Sequence, residues 1–257
     1  MRLQPVPAFE DNLIWLLRDA AGGAVIVDPG ESAPVLEALA GGPPPHAILL
    51  THHHHDHIGG VADLLHHWPG VAVIAPHDDR ITHVTRRVGE GDQVEVGSWR
   101  FRVIGIPGHT TSHIAFHGHD SDGAGLLFCG DTLFSLGCGR MFEGTPTQMH
   151  ASLQRLAALP GDTLVCCGHE YTLANLRFAR AVEPDNLAVV RHETQCKSLR
   201  ERGLPTLPST LGLEREINPF LRCEQPGVIE SAAAQGAAAL DPVSVFAAIR
   251  QWKDTYR

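Results

Sequence analysis

The chain has 257 residues, enough for one large domain or a domain with an appendage. Its 29 Asp plus Glu against 20 Lys plus Arg give an acidic balance, which argues against a general nucleic-acid binder. No stretch reaches transmembrane length, and Met1 to Asp11 has no apolar signal region, so the chain is expected to work in the cytoplasm away from any membrane. The six Cys show no regular framework, which predicts reduced thiols.

Taken in order, Arg2 to Val6 reads as extended, and Phe9-Glu10-Asp11-Asn12 as a turn. Leu13–Leu17 and Ala24–Val27 read as the arms of a β-hairpin through Gly22-Gly23. Asp28-Pro29-Gly30 ends the second arm, and Ser32 is expected to cap a helix running to Ala40. Asp28 is either a turn-former or a residue that orients a ligand imidazole. Pro43-Pro44-Pro45 then precedes the apolar run Ala47-Ile48-Leu49-Leu50, a strand buried on both faces.

That strand delivers Thr51-His52-His53-His54-His55-Asp56-His57. Five imidazoles and a carboxylate within six residues are hard to explain as packing, and N/O donors of this kind suit Zn²⁺, Fe²⁺ or Mn²⁺. The spacing offers two ligand groups, His52 with His54 and Asp56 with His57, which predicts two ions side by side with His53 and His55 as spacers. An expression tag would not be internal, interrupted by Asp56 and placed behind a strand.

Gly59-Gly60 leads to a helix over Val61 to Trp68 and a strand over Val71 to Ala75, a βαβ unit. Gln93–Val96 and Trp99–Ile106 form a hairpin across Gly97-Ser98. His66, His67, His77 and His83 read as surface histidines. In Pro107-Gly108-His109-Thr110-Thr111-Ser112-His113, His109 is placed to complete a trio with His52 and His54, and His113 reads as structural. Leu126–Phe128 leads through Cys129-Gly130 to Asp131, a carboxylate suited to bridging two cations. Leu164-Val165-Cys166-Cys167-Gly168 places His169 to join Asp56 and His57. Cys129, Cys166 and Cys167 are expected to pack as small apolar groups.

From Thr172 the strand pattern stops. Leu173, Leu176, Ala179 and Val182 recur at helical spacing up to Glu183-Pro184, and Asn186 to Arg202 reads as a second helix. Pro205 to Pro219 reads as a loop, and Pro242 starts a last helix reaching Asp254. The expected division is a metal-binding catalytic domain over residues 1–171 and a helical substrate-binding domain over 172–257.

The four strand-end motifs resemble the metallo-β-lactamase superfamily. Pro7 to Asn12, Gly137-Cys138-Gly139-Arg140, Phe142-Glu143-Gly144-Thr145, Gly168 to Thr172 and Arg250-x-x-Lys253-Asp254 resemble its glyoxalase II (hydroxyacylglutathione hydrolase) branch. The resemblance implies an α/β fold, a four-layer αβ/βα sandwich with a helical C-terminal domain. It implies one ion on His52, His54 and His109, a second on Asp56, His57 and His169, and Asp131 between them. Zinc is the expected metal, with iron or manganese as alternatives. The implied reaction is hydrolysis of S-(2-hydroxyacyl)glutathione, chiefly S-D-lactoylglutathione, to D-lactate and glutathione, the chemistry of methylglyoxal detoxification. Asp56 and Asp131 would serve the chemistry. Arg140, Phe142, Tyr171, Arg250 and Lys253 would hold the glutathione moiety of this small-molecule partner on a monomeric enzyme.

The family often has Tyr at Phe142 and Leu13, Trp at His55 and Gly at Ser112, so one hydrogen bond to substrate is missing here. Two other readings stand beside this one: a mononuclear iron glutathione-persulfide dioxygenase, and a non-catalytic metal-binding protein.

Overall fold

The computed structural model describes residues 2–119, 123 and 125–256. It divides into two compact units, one of Met1–Ile106, Ser112–Gly130 and Cys166–Glu170, the other of Pro107–Thr111, Asp131–Val165 and Tyr171–Arg257.

The first unit opens with a six-stranded sheet in sequence order: β1 (Arg2–Ala8), β2 (Asn12–Arg18), β3 (Ala24–Val27), β4 (Ala47–Leu49), β5 (Ala72–Pro76) and β6 (Arg86–Val88). The first three strands pair antiparallel, as tight turns permit, and the last three add in parallel. Parallel addition needs crossovers. These are supplied by α1 (Ala33–Ala38), by α2 (His55–Ile58) with α3 (Val61–His67), and by the loop after β5. Val35, Leu39, Val61 and Leu64 pack on one face of the sheet against Ile14, Leu16, Ile26, Ile48 and Val73. The other face, with Trp15, Val25, Val27 and Leu49, is buried as well, so β4 lies in apolar surroundings on both sides. Its carboxyl end therefore emits the histidine run from a fixed point.

A second sheet follows with β7 (Gln93–Val96), β8 (Trp99–Gly105), β9 (Ile114–His119) and β10 (Gly125–Gly130), each antiparallel to the next. The indole of Trp15 donates to the carbonyl of Cys167 at 2.9 Å, and Leu13 N donates to Gly168 O at 2.8 Å, tying β2 to the segment that ends in His169.

The second unit begins with a short ribbon of β11 (Leu133–Phe134) and β12 (Gly137–Cys138), then α4 (Pro146–Ala157). Leu164 and Val165 of β13 (Leu164–Cys167) pair with β14 (Ser209–Thr210). The helices are α5 (Thr172–Val182), α6 (Leu187–Glu201), α7 (Leu211–Ile217), α8 (Pro226–Ala234) and α9 (Pro242–Thr255). Leu176 and Ala179 of α5 meet Val189, Cys196 and Ile217 around Leu136, so the period seen in the sequence marks a true apolar stripe.

Buried polar groups from this bundle hold the tip of the ribbon. Leu136 has φ of 55° and donates its N–H to Glu214 Oε2 at 2.8 Å. Asn218 Nδ2 donates to Phe134 O and Gly137 O, both at 3.0 Å, and Asn175 Nδ2 donates to Ser135 O at 3.0 Å. Each buried carbonyl thereby keeps a partner, which a strained turn in an apolar bundle requires. Burial pushes the Glu214 carboxyl above the ordinary carboxylate range.

Three local expectations are corrected. Ser32 does not cap α1: it is already in the helical region, and its hydroxyl donates to Asp63 Oδ2 at 3.1 Å instead. Residues 205–219 are not all loop, because Thr210 accepts from Leu213 N and caps α7, whose Leu211, Glu214 and Ile217 are buried. The strand pattern does not stop entirely at Thr172, since Ser209 and Thr210 form β14. The elements β6, the β11–β12 ribbon, α4 and α8 lie outside the expectations. No described helix is long and apolar enough to cross a membrane.

Candidate metal centre

Within the first unit, His52, His54, Asp56, His57 and His169 fall at the carboxyl ends of the buried strands. Thr51 to His54 lie outside any helix or strand, and α2 then turns Asp56 and His57 back. Asp28 sits below them with φ of 51°, an uncommon backbone for a residue with a Cβ, held by three contacts. Its Oδ1 accepts from Thr51 N at 2.8 Å, and its Oδ2 from Thr51 Oγ1 at 2.7 Å and from His57 Nδ1 at 3.1 Å. Of its two sequence readings, the imidazole-orienting one is what the geometry supports.

Four of the candidate imidazoles have Nδ1 engaged, His57 by Asp28 and three others as follows. The Thr51 hydroxyl donates to Asp28, so it accepts from His52 Nδ1 at 3.1 Å. His169 Nδ1 donates to Asp11 Oδ1 at 2.8 Å. In the second unit, His109 Nδ1 faces the Arg140 carbonyl at 2.7 Å, and a carbonyl can only accept. With protons on Nδ1, the lone pairs lie on Nε2, the arrangement that orients histidine ligands toward a cation.

Within each unit the ligand atoms lie close together. His57 Nε2 lies 3.6 Å and His169 Nε2 3.4 Å from Asp56 Oδ2. His52 Nε2 lies 3.1 Å from His54 Nδ1, and His109 Nε2 3.5 Å from Asp131 Oδ2. Two ligands of a tetrahedral ion with bonds near 2.1 Å stand about 3.4 Å apart, so these spacings fit a shared cation. Asp56, His57 and His169 together bring one ligand atom each within 4.8 Å of one another. The donor set is all nitrogen and oxygen, suited to borderline divalent metals.

Two glycines let backbone pass close to the ligands. A Cβ on Gly30 would stand 1.9 Å from Asp56 O, and one on Gly139 would stand 1.8 Å from Asp131 O.

Among the spacers, His55 is exposed and His53 turns its Nδ1 to 3.4 Å from Asp78 Oδ2. His66, His67, His77 and His83 are exposed, as read from the sequence. His113 is buried and stacks on His52, with centroids 4.5 Å apart. All six cysteines are buried and outside any disulfide; burial pushes Cys138 up to about 12 and Cys166 well above its usual value, so neither is a thiolate nucleophile at neutral pH.

The five predicted substrate residues all lie in the second unit. Arg140 Nε is 3.5 Å from Asp254 Oδ1, and buried Arg250 pairs with the same carboxylate. Lys253 Nζ sits 5.2 Å over the Phe178 ring. Phe142 is exposed with its ring 5.3 Å from that of His109, and Tyr171 packs edge-on to Phe134. Sequence reasoning missed Asn12, whose Nδ2 donates to Asp56 Oδ2 at 3.0 Å, and gave Asp11 no role. The adjacent Asp-Asn at the turn before β2 was the available signal.

The chain matches the family model "Metallo-beta-lactamase superfamily" over residues 9–169 and "Hydroxyacylglutathione hydrolase C-terminus" over residues 170–256. It is 55% identical over 257 residues to a hydroxyacylglutathione hydrolase of Xylella fastidiosa strain M23, covering 100% of this chain and 98% of that one. The chain belongs to the hydroxyacylglutathione hydrolase family. Its fold is the metallo-β-lactamase α/β sandwich with a helical C-terminal region, and its His/Asp clusters are candidate holders of divalent metal, in keeping with that superfamily. Solved structures of the same fold include TTHA1623 in a di-iron-bound form, with 28% identity, TM-score 0.59 and coverage of 86% of this chain and 100% of that one. ETHE1 from Myxococcus xanthus shares the fold at 24% identity and TM-score 0.65, with 100% of both chains covered.

Proposed function

We propose that the chain is a binuclear metal-dependent thioesterase that hydrolyses S-(2-hydroxyacyl)glutathione, chiefly S-D-lactoylglutathione, to D-lactate and glutathione. His52, His54 and His109 would hold one ion and Asp56, His57 and His169 the second, with the Asp131 carboxylate available to both. Zinc suits this donor set best, with iron and manganese next. The observation that carries the reading is the ligand-to-ligand spacing of 3.1–3.6 Å together with the protons held on Nδ1. Bound there, divalent ions supply Lewis-acid polarisation of the thioester carbonyl and a water of lowered pKa.

The chain's own groups do the rest. Asp28, Asp11, Thr51 and the Arg140 carbonyl keep four imidazoles in one tautomer and orientation, so the donors need no rearrangement during the reaction. Water adds to the carbonyl carbon and gives up one proton to solvent, the C–S bond breaks with its electron pair going to sulfur, and the carboxylic acid formed loses its proton to solvent; the thiolate leaves without an acid because thiol pKa values are low. Arg140, Arg250 and Lys253 meet the carboxylates of glutathione, with Phe142 and Tyr171 beside its peptide. In the free protein Asp254 occupies Arg140 and Arg250, so a substrate carboxylate displaces it. The working division is a catalytic part over residues 1–171 and a substrate-binding part over 172–257, in a cytoplasmic monomer.

The test is thiol release from a glutathione thioester and from the same acyl group on N-acetylcysteamine, with metal analysis of the purified protein. Two ions per chain and roughly a hundredfold higher kcat/KM for the glutathione thioester are expected, since three charge-assisted contacts of about 1 kcal/mol or less each give that ratio. High salt reduces the preference. Equal kcat/KM values remove the glutathione assignment. Oxygen uptake with glutathione persulfide and no thiol release would give the protein to the dioxygenase reading, which the complete second ligand set disfavours.

Lys253 makes a pH prediction. Burial, with Arg250 and Arg177 nearby, brings its pKa from 10.5 down to about 8. The cation is therefore lost as pH rises through about 8, and KM for the glutathione thioester should climb between pH 7 and 9 with kcat less affected. Lys253→Met should start with a raised KM and lose that dependence. The linkage sign is opposite for stability. The unfolded chain holds this proton up to about 10.5, so stability contributed by this group rises with pH between about 8 and 10.5. A flat KM profile in the wild type would remove Lys253 from the binding set.

A further inference from the structure

Asp78 lies in the loop after β5, and its side chain is only 4% exposed. Its Oδ1 accepts from Arg80 N at 3.0 Å and Arg80 Nε at 2.8 Å, and its Oδ2 from Arg80 Nη2 at 2.7 Å. A local pair of this kind would explain itself. The remaining two neighbours do not belong to the loop: Ser112 Oγ donates to Oδ2 at 2.5 Å, and His53 Nδ1 lies 3.4 Å from the same oxygen. His53 stands between His52 and His54, and Ser112 follows His109 by three residues.

We propose that Asp78 is a positioning residue for the metal centre, fixing the histidine run through His53 and the end of the His109 turn through Ser112. The proposal rests on the metal-centre reading above. The run Thr51–His54 belongs to no helix or strand, so its shape depends on what anchors its side chains. One side is fastened already: Ile114 N donates to Thr51 O at 3.0 Å, and His113 stacks on His52. Asp78 holds Ser112 by a hydrogen bond and sets a fixed charge beside the His53 ring, closing the other side.

Asp78 is itself held rigidly. Arg87 Nη1 donates to Pro76 O at 2.8 Å and Asp78 O at 2.7 Å, and Arg87 Nη2 to Ile81 O at 2.7 Å. The Arg80 guanidinium holds the Asp78 carboxyl well below the usual carboxylate range, so it is an anion at every working pH.

The test compares wild type, Asp78→Asn, Ser112→Ala and Arg80→Ala. Zinc affinity is measured by chelator competition, beside kcat, KM and the melting temperature of metal-free protein. Arg80→Ala is the control, since it removes the local pair and leaves Ser112 and His53 in place. Asp78→Asn and Ser112→Ala are expected to bind zinc about 10- to 100-fold more weakly and to lose kcat with KM little changed. The double variant should lose less than the two single losses combined, because both act on one contact. Wild-type zinc affinity in both single variants overturns the proposal. So does a loss in Asp78→Asn that Arg80→Ala reproduces together with its change in melting temperature. A wild-type protein that binds no zinc would instead defeat the metal-centre reading, and the wild-type titration alone reveals that case.

Discussion

Asp131→Ala protein is expected to fold, to retain fewer than two metal ions after dialysis, and to lose at least roughly 10³-fold in kcat. Asp131 is buried, follows directly on β10, and turns Oδ2 to 3.5 Å from His109 Nε2. Its side chain has little exposure for a solvated role, and a carboxylate is the one side chain whose two oxygens can each serve a cation. On the proposed binuclear reading, alanine removes the charge that makes two adjacent cations tolerable. Asp131→Asn separates charge from shape, because the amide keeps one acceptor oxygen and the same volume. It should hold metal better than alanine and still lose most turnover. Elemental analysis, kcat and a melting curve on each variant decide the matter. Full metal content and wild-type kcat in Asp131→Ala would take the bridging role away from this residue. Arg250→Ala is the contrast, expected mainly to raise KM because its partner lies away from the scissile carbonyl.

The candidate ligand positions stand out in sequence because each follows an apolar run that reads as a buried strand. His52, His109, Asp131 and His169 all come directly or within a few residues after such a run, and the strand fixes the direction in which the chain emerges. What supports the ligands could not be read that way. Asn12 reaches Asp56 across 44 residues and Asp11 reaches His169 across 158, and in sequence both look like ordinary turn residues. Asp78 is similar, its role depending on Ser112, 34 residues away. The helix α4 carries a legible start signal: Thr145 and Gln148 form a capping box on either side of Pro146. The helix α7 was hidden by Pro205, Pro208 and Gly212. Tertiary burial of Leu211, Glu214 and Ile217 outweighs that local punctuation.

Gly30→Ala should damage the centre severely, although glycine has no side chain to offer a metal. Gly30 N donates to Asp28 O at 3.0 Å, and Gly60 N donates to the carbonyl of the neighbouring Pro29 at 2.9 Å, so the backbone here is clasped on both sides. An added Cβ would meet Asp56 O at 1.9 Å, Asp56 C at 2.6 Å and Phe9 Cε2 at 2.8 Å. The Cβ position is set by the backbone, so no rotamer relieves the clash, and two of the three atoms are main chain. Either the Asp28–Gly30 turn or α2 must shift by about 1 Å or more. Both shifts reach the centre, because α2 carries Asp56 and His57, and Asp28 orients His57. Displacements of that size cost about 100-fold in rate, and forced overpacking costs about 1–3 kcal/mol in stability. Gly227→Ala supplies the control. It lies in α8 with its nearest prospective contact at 3.9 Å, so a methyl there fits and should stabilise by about 0.5–1 kcal/mol. The measurement is kcat, zinc affinity and melting temperature for both variants. Wild-type zinc affinity and kcat in Gly30→Ala would show that the contact between the Asp28–Gly30 turn and α2 does not set the geometry of Asp56 and His57.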